Sequence, residues 1–379
     1  MTDDRPLTVL IAPDSFKGSL SAVEVASALA AGWGRARPND RLLLAPLADG
    51  GEGTLDAIAA AGGWEWQSAE VADPLGRPVR ARWLRSSDGR TAALEMAEAS
   101  GLWRVAPNER DPVLASTFGT GELICAAVND GVERIILGIG GSATTDGGQG
   151  ALSSLGARGV RAETVELSGL PAQLAHIRFE VACDVDNPLL GPHGAAAIYG
   201  PQKGATPELV KQLDENLARW ADRLQAASGR RERDTPGAGA AGGLGFALLS
   251  VQDRFASFAL RPGVDLVMEA TGFADKLGQA DLVITGEGQI DESTAFGKTA
   301  LGVARRAHAA LVACVAVGGG VTAAGAAALR AVEAVAVPVI EAPMTVDQAI
   351  ALGAAPIEAA GERIGRLVSM GVGAANGAR

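Results

Sequence analysis

The sequence predicts an α/β protein in two domains: a Rossmann-like parallel-sheet domain built from both chain ends, and a second α/β domain inserted into it. Three observations carry this. At 379 residues the chain exceeds one ordinary hydrophobic core. Short aliphatic runs alternate with Ala-rich helical stretches along most of its length. The middle breaks that alternation: residues 71–92 read as two antiparallel strands and 236–246 as a Gly/Ala loop. The first domain is therefore expected at 1–68 and 262–379, and the inserted one at 69–261.

Strands are expected at 7–12, 41–45, 134–137, 179–182, 281–285, 311–317 and 335–340. Their near-continuous hydrophobicity suits parallel strands buried on both faces. Helices are expected at 21–35, 53–61, 120–130, 207–227, 264–272 and 298–310, with Ser19 and Ser21 as N-cap candidates for the first. Residues 228–236 (SGRRERDTP) read as a charged surface loop. The uncharged stretch 309–329 contains Gly318-Gly319-Gly320 and Gly325, so it divides into strand, loop and helix rather than spanning a membrane.

Composition narrows the function classes. A net charge of −11 argues against a nucleic-acid or anionic-membrane partner, since both need a basic face. Aromatics at 4% are too sparse for a base-stacking platform. Cys125, Cys183 and Cys314 form no CxxC and sit in apolar runs, as reduced thiols of a cytoplasmic protein do. Three scattered histidines exclude a histidine-rich metal centre. The start, MTDDRPLTVLIAPD, lacks the basic and apolar segments of a signal peptide, so a cytoplasmic location is expected.

The chemistry-bearing signals recur in one form: a buried strand runs into a short polar loop with Asp or Glu among Gly or Ser. In doubly wound folds, ligands bind at the carboxyl ends of strands. The first loop is Asp14-Ser15-Phe16-Lys17-Gly18-Ser19, where a carboxylate, hydroxyls and an ammonium precede a helix. Lys17 stands out because only five of 33 basic residues are Lys, and three of those (Lys17, Lys203, Lys298) lie in Gly-flanked loops. The plain alternative for Lys17 is a solvated side chain. The second loop is Asp49-Gly50-Gly51-Glu52-Gly53, where glycines admit a close ligand and two acids suit Mg²⁺ or a hydroxyl. The plain alternative is a tight turn with capping carboxylates. The third is Gly138-Ile139-Gly140-Gly141-Ser142 through Gly148. It meets a relaxed dinucleotide pattern, but its hydroxyls and extra glycines suit phosphate cradling better.

Further acids follow strands in Asp184-Val185-Asp186-Asn187 and Glu287-Gly288-Gln289-Ile290-Asp291, and Lys203 lies in a turn-rich segment. Two apparent motifs fail. Gly297-Lys298-Thr299 ends like a Walker A loop, but Glu292 stands where Gly is required. Gly237, Gly239 and Gly242 fit G-x-G-x-x-G without a preceding strand.

Together the loops resemble the type I glycerate kinases. DSFKGS at 14–19, PLADGGEGT at 46–54, FGTGEL at 118–123 and GIGGSATTDGG at 138–148 look like that family. So do ACDVDNPLLG at 182–191, GPQKGA at 200–205, AGGLGFAL at 241–248 and TGEGQID at 285–291. The clearest departure falls around Glu292-Ser293-Thr294. The resemblance implies phosphorylation of D-glycerate with ATP and Mg²⁺, giving 2-phosphoglycerate, in a cleft of a two-domain α/β fold. A 3-phosphoglycerate product and an NAD-dependent dehydrogenase of a small hydroxy acid remain as alternatives. A homodimer is one assembly compatible with the sequence.

Residue roles follow from the residues themselves. Lys17 is the candidate cation for the glycerate carboxylate, and Asp184 and Asp291 are candidates to accept the attacking hydroxyl's proton. Asp49, Glu52 and Glu287 are candidate Mg²⁺ ligands. Asp14, Ser15, Ser19, Gly50, Gly51, Gly53, Gly140, Gly141, Ser142, Asn187 and Lys203 are expected to bind substrate or nucleotide.

Overall fold

The computed structural model describes residues 5–292 and 299–376, the last six by backbone only. Its strands in chain order are β1 (Thr8–Ile11), β2 (Arg41–Leu44), β3 (Trp64–Ala72), β4 (Pro78–Ser86), β5 (Thr91–Glu95), β6 (Arg134–Gly138), β7 (Arg178–Ala182), β8 (Ser257–Arg261), β9 (Leu282–Ile290), β10 (Ala313–Val321) and β11 (Ala334–Pro338). The chain divides into two compact units. Unit 1 comprises Met1–Asp49, Asp56–Gly62 and Val267–Arg379; unit 2 comprises Gly50–Leu55 and Gly63–Leu266.

Unit 1 holds a five-stranded sheet in the order β11-β10-β9-β1-β2, parallel at every step. β2 lies on one side of β1, and β9 with the strands after it on the other. The chain order thus reverses between β1 and β9. The helix Ala22–Ala36 opens with a capping box in which Ser21, not Ser19, is the cap and Glu24 its reciprocal partner. It crosses the helix Ala355–Asn376 so closely that a Cβ on Gly32 would lie 1.9 Å from the Glu358 carbonyl oxygen. The buried pair Arg37–Asp40 (2.6 Å) ties the end of the first helix to β1, since Asp40 also accepts from the Leu7 backbone N–H. Val9, Ile11, Leu29, Trp33, Ile284 and Ile364 form the core.

Unit 2 holds a six-stranded sheet in plain sequence order, β3 to β8. β3, β4 and β5 pair antiparallel, and β5 to β8 pair parallel. Phe179, Trp220 and Phe246 anchor its core. The α/β fold expected from the sequence is thus observed.

Five local expectations need correction. The antiparallel hairpin begins at Trp64 rather than 71, because β3 pairs with β4 along its full length. Residues 236–246 are not a plain loop: the helix Ala240–Ser250 occupies most of them, with Ala241, Gly242 and Gly243 in left-handed conformation at its start. Gly318-Gly319-Gly320 is not a loop either, because β10 runs on to Val321. For the same reason Glu287 sits on a strand, since β9 continues to Ile290 and pairs Glu287 with Gly318. Residues without side chains lower strand propensity, yet two adjacent glycine strands satisfy each other's backbone groups where no side chain obstructs them. In the loop 228–236, Glu232 is buried and accepts from Arg230 and Thr235, so that segment is not wholly solvated. Among the described residues no helix is long and apolar enough to cross a membrane.

Candidate functional site

In unit 1 the predicted residues gather at the carboxyl ends of β1 and β9, where the strand order reverses. This is the position at which doubly wound sheets bind ligands. The ladder extends beyond β1, with the Asp14 N–H donating to the Gly286 carbonyl at 2.8 Å. Asp14 is buried, and its two carboxylate oxygens accept from the Ser15 N–H (2.6 Å) and the Thr299 hydroxyl (2.6 Å). Burial pushes its carboxyl above the usual range and the Asp49 charge adds to this; the bonds from Thr299 and Ser15 and the Lys17 charge pull the other way.

Lys17 projects from a turn closed by a bridge between Phe16 and Leu20. Its ammonium meets Asp49 at 3.2 Å, and both side chains are largely solvated. Such a pair adds little to stability. The Asp49 charge chiefly raises the Lys17 pKa, with Asp14 and Glu287 contributing in the same direction. Lys17 is therefore held charged by its pair with Asp49, while its side chain keeps the solvated character of the plain alternative. Glu287 is buried on β9, and Asp291 lies half-buried just past that strand. Ser15 is half-buried and Ser19 exposed. Ser293, Thr294, Gly297 and Lys298 lie outside the described residues.

Unit 2 uses the same residue types differently. Gly50 and Gly51 press against the loop after β6. A Cβ on Gly138 would lie 2.7 Å from the Gly50 carbonyl oxygen, one on Gly140 2.6 Å from Gly51 Cα, and one on Gly50 2.6 Å from Ala182 Cβ. The Gly140 N–H donates to the Gly50 carbonyl at 3.3 Å. Gly50 also has φ +87°, which a side chain disfavours. The close approach that these glycines permit is thus to each other. Gly53, with φ +89°, and Gly141, with φ +72°, have open space or ordinary contact where a side chain would project. Glu52 is exposed.

The loop after β6 is clamped along its length. Ser142 is buried and bridges to Gly101, and the Ala143 N–H donates to the Ser100 carbonyl. Asp146 accepts from the Thr117 N–H and hydroxyl and from the Gly148 and Gly150 N–H groups. Lys203 is buried and donates to the Ser142 hydroxyl (2.8 Å) and the Thr144 carbonyl (2.6 Å). Burial depresses its pKa to about 7, opposed by Asp146. The Thr144 and Thr145 hydroxyls are buried without a hydrogen-bond partner. The helix that follows, Gln149–Ser154, is too short for a dinucleotide fold.

Asp184 is exposed after β7 and accepts from the Gly263 N–H at 3.0 Å, where the helix Gly263–Ala270 begins. Asn187 is held on both sides of its amide, donating to the His193 carbonyl and accepting from the Tyr199 hydroxyl. Two further residues complete unit 2. Glu95, at the end of β5, is buried and accepts from the Leu55 N–H at 2.7 Å, capping the helix Thr54–Ala60. Its surroundings, ALEMAEAS, carry no glycine to mark it. Asp146 was legible within GIGGSATTDGG but not as a hub.

Among the described residues no group of three or more His, Cys, Asp or Glu could by itself hold a metal ion. Mg²⁺ ordinarily takes one or two carboxylates and keeps water and phosphate oxygens for the rest. Asp49 and Glu287, both near Lys17, are hard oxygen donors that fit such partial ligation.

Comparison with known proteins follows the same lines. A family model described as the glycerate kinase family matches residues 9–369. A glycerate kinase of Bacillus subtilis (strain 168) is 46% identical over 331 residues, covering 83% of this chain and 86% of that protein. A glycerate 2-kinase of Escherichia coli (strain K12) is 43% identical over 313 residues, covering 79% and 81%. The crystal structure of a candidate glycerate kinase 2 from Salmonella typhimurium LT2 superposes with a TM-score of 0.83 at 40% identity, covering 97% of this chain and 99% of that one.

Proposed function

This chain belongs to the glycerate kinase family, and we propose that it transfers the γ-phosphoryl group of ATP to D-glycerate, forming 2-phosphoglycerate. The observation that carries the reading is the cluster at the strand-order reversal of unit 1: one charged lysine, Lys17, among Asp14, Asp49 and Glu287. Phosphoryl transfer needs little covalent chemistry from a protein; it needs positioning and charge. A cation beside acids at the end of a parallel sheet offers both.

Lys17 binds the glycerate carboxylate as a point charge. Asp49 and Glu287 would hold Mg²⁺ in unit 1, and Glu52 is the candidate carboxylate in unit 2; a bound ion would supply positive charge for the transferring phosphoryl group. Asp14 orients the turn that carries Ser15 and Lys17, because both its oxygens are engaged. Asp184 and Asp291 are the carboxylates assigned to accept the hydroxyl proton. Gly53 and Gly141 hold phosphate oxygens through backbone N–H groups, with Ser142 donating its hydroxyl; Gly140, whose N–H is taken by the Gly50 carbonyl, shapes the loop beside them. The location is cytoplasmic.

ADP release against a panel of hydroxy acids tests the reading. D-Glycerate is expected to give the highest kcat/KM, and turnover of every other acid without D-glycerate would overturn it. Phosphorus NMR fixes the product: a phosphate on the C2 methine splits into a doublet, one on the C3 methylene into a triplet. A doublet is expected.

A further inference from the structure

Lys203 is the fully buried charged side chain in unit 2 that the phosphate-loop reading leaves without a task. The turn Pro201–Lys203 delivers it, and Gly204, with φ +97°, turns the chain away beside Arg110. Its Nζ reaches two atoms of the loop after β6, the Ser142 Oγ at 2.8 Å and the Thr144 carbonyl at 2.6 Å. A ligand that approached this amine would have to displace the loop, so direct contact is excluded by its burial. The loop is otherwise pinned at both ends, by Ala143 N–H to the Ser100 carbonyl and by the hydrogen bonds that Asp146 accepts. Thr144 lies between those pins, and Ser142 directly precedes the first.

A hydroxyl has one proton and two lone pairs. When Lys203 donates into Ser142 Oγ it occupies a lone pair, and the Ser142 proton is left to donate elsewhere. No acceptor for it is present among the described residues. Gly141, next in the chain, is exposed with φ +72°.

We propose that Lys203 is a positioning residue: by donating to Ser142 and Thr144 it fixes the Ser142 hydroxyl as a hydrogen-bond donor toward a bound phosphate oxygen. This rests on the reading of the loop as the phosphate cradle. Lys203 then acts through Ser142 and never touches the ligand. The charged amine would be costly to bury for stability alone, since two uncharged polar groups are its partners.

The test is a double-mutant cycle between Lys203→Met and Ser142→Ala, with Lys203→Gln as a partial donor replacement, read as kcat and KM for each substrate. Each single variant is expected to lower kcat by ~10-fold or more, as loss of one aimed donor does, with the KM for glycerate within about twofold. The double variant should fall no further than the worse single, because both remove the same donor. Lys203→Gln should recover part of the kcat. Ser142→Ala with wild-type kcat would overturn the phosphate-loop reading and this proposal with it. A kcat deficit in Ser142→Ala with wild-type kcat in Lys203→Met, or additive effects in the double variant, would overturn the Lys203 proposal alone. If Lys203→Met does not fold, Lys203→Gln decides in its place: pairing it with Ser142→Ala must again be non-additive.

Discussion

The two units answer the same sequence signal in opposite ways. In unit 1, acids at strand ends stay near one another and near a charged Lys17, in partial solvent. In unit 2, the comparable acids and glycines are engaged with the protein itself. Asp146 gathers four backbone and hydroxyl donors, Glu95 and Asp184 cap helices, and Gly50 and Gly51 pack on Gly138 and Gly140. A ligand site needs groups held in place and groups left available. Unit 1 keeps the solvated Lys17–Asp49 pair at the edge of a rigid sheet; unit 2 holds its loops so tightly that Gly53, Gly141 and the exposed Glu52 are the groups least occupied by the protein.

The comparison breaks most visibly at glycine. Gly50→Ala places a Cβ 2.6 Å from Ala182 Cβ at a φ of +87°. Overpacking and backbone strain together should cost about 3 kcal/mol or more, measurable as a lower denaturant midpoint. Gly18→Ala in unit 1 meets nothing within 4 Å, so only its φ of +78° is strained. It should cost about 1 kcal/mol. Equal losses at the two positions would dissolve the contrast.

Charge removal comes next. Asp184→Asn and Asp291→Asn should each lower kcat by ~100-fold or more if that carboxylate accepts the proton. Asn is itself a good N-cap, so Asp184→Asn should leave the melting temperature nearly unchanged while the helix after β8 stays capped. A large drop in melting temperature with normal turnover would make Asp184 a cap and nothing more.

The buried Lys203 gives unit 2 a pH signature. Its pKa is about 7 in the folded protein against 10.5 when solvated. Between these values the unfolded chain binds the extra proton, so stability rises with pH across this window. The contribution approaches about 1.4 kcal/mol per pH unit. Urea unfolding at successive pH values should show this rise in the wild type and lose it in Lys203→Met. The smallest kinetic effect is expected in unit 1, where Lys17→Ala should raise the KM for glycerate by ~10-fold with kcat less affected. Unchanged kinetics would return Lys17 to a solvated surface role.

Much of this was legible in residue order. Alternating aliphatic runs announced the α/β fold, and DSFKGS, PLADGGEGT and GIGGSATTDGG marked polar loops at strand ends. Other features were hidden for identifiable reasons. TGEGQID looks like a loop because glycine is a poor strand former, yet it is strand where β9 lies beside the glycines of β10. Glu95 carries no local sign, since its partner is the Leu55 N–H forty residues earlier in the chain. Lys203 looks like a ligand-binding lysine because glycines flank it, and only burial shows that it faces the loop.

By itself the sequence determined the fold class and the set of polar loops, because hydrophobic period and turn chemistry are local properties, and the wording of those loops carried the family resemblance. Tertiary structure decided which of those charges stay solvated and which are occupied in holding the protein together. That depends on burial and on partners distant in sequence, such as Thr299 for Asp14, Gly263 for Asp184 and Ser142 for Lys203.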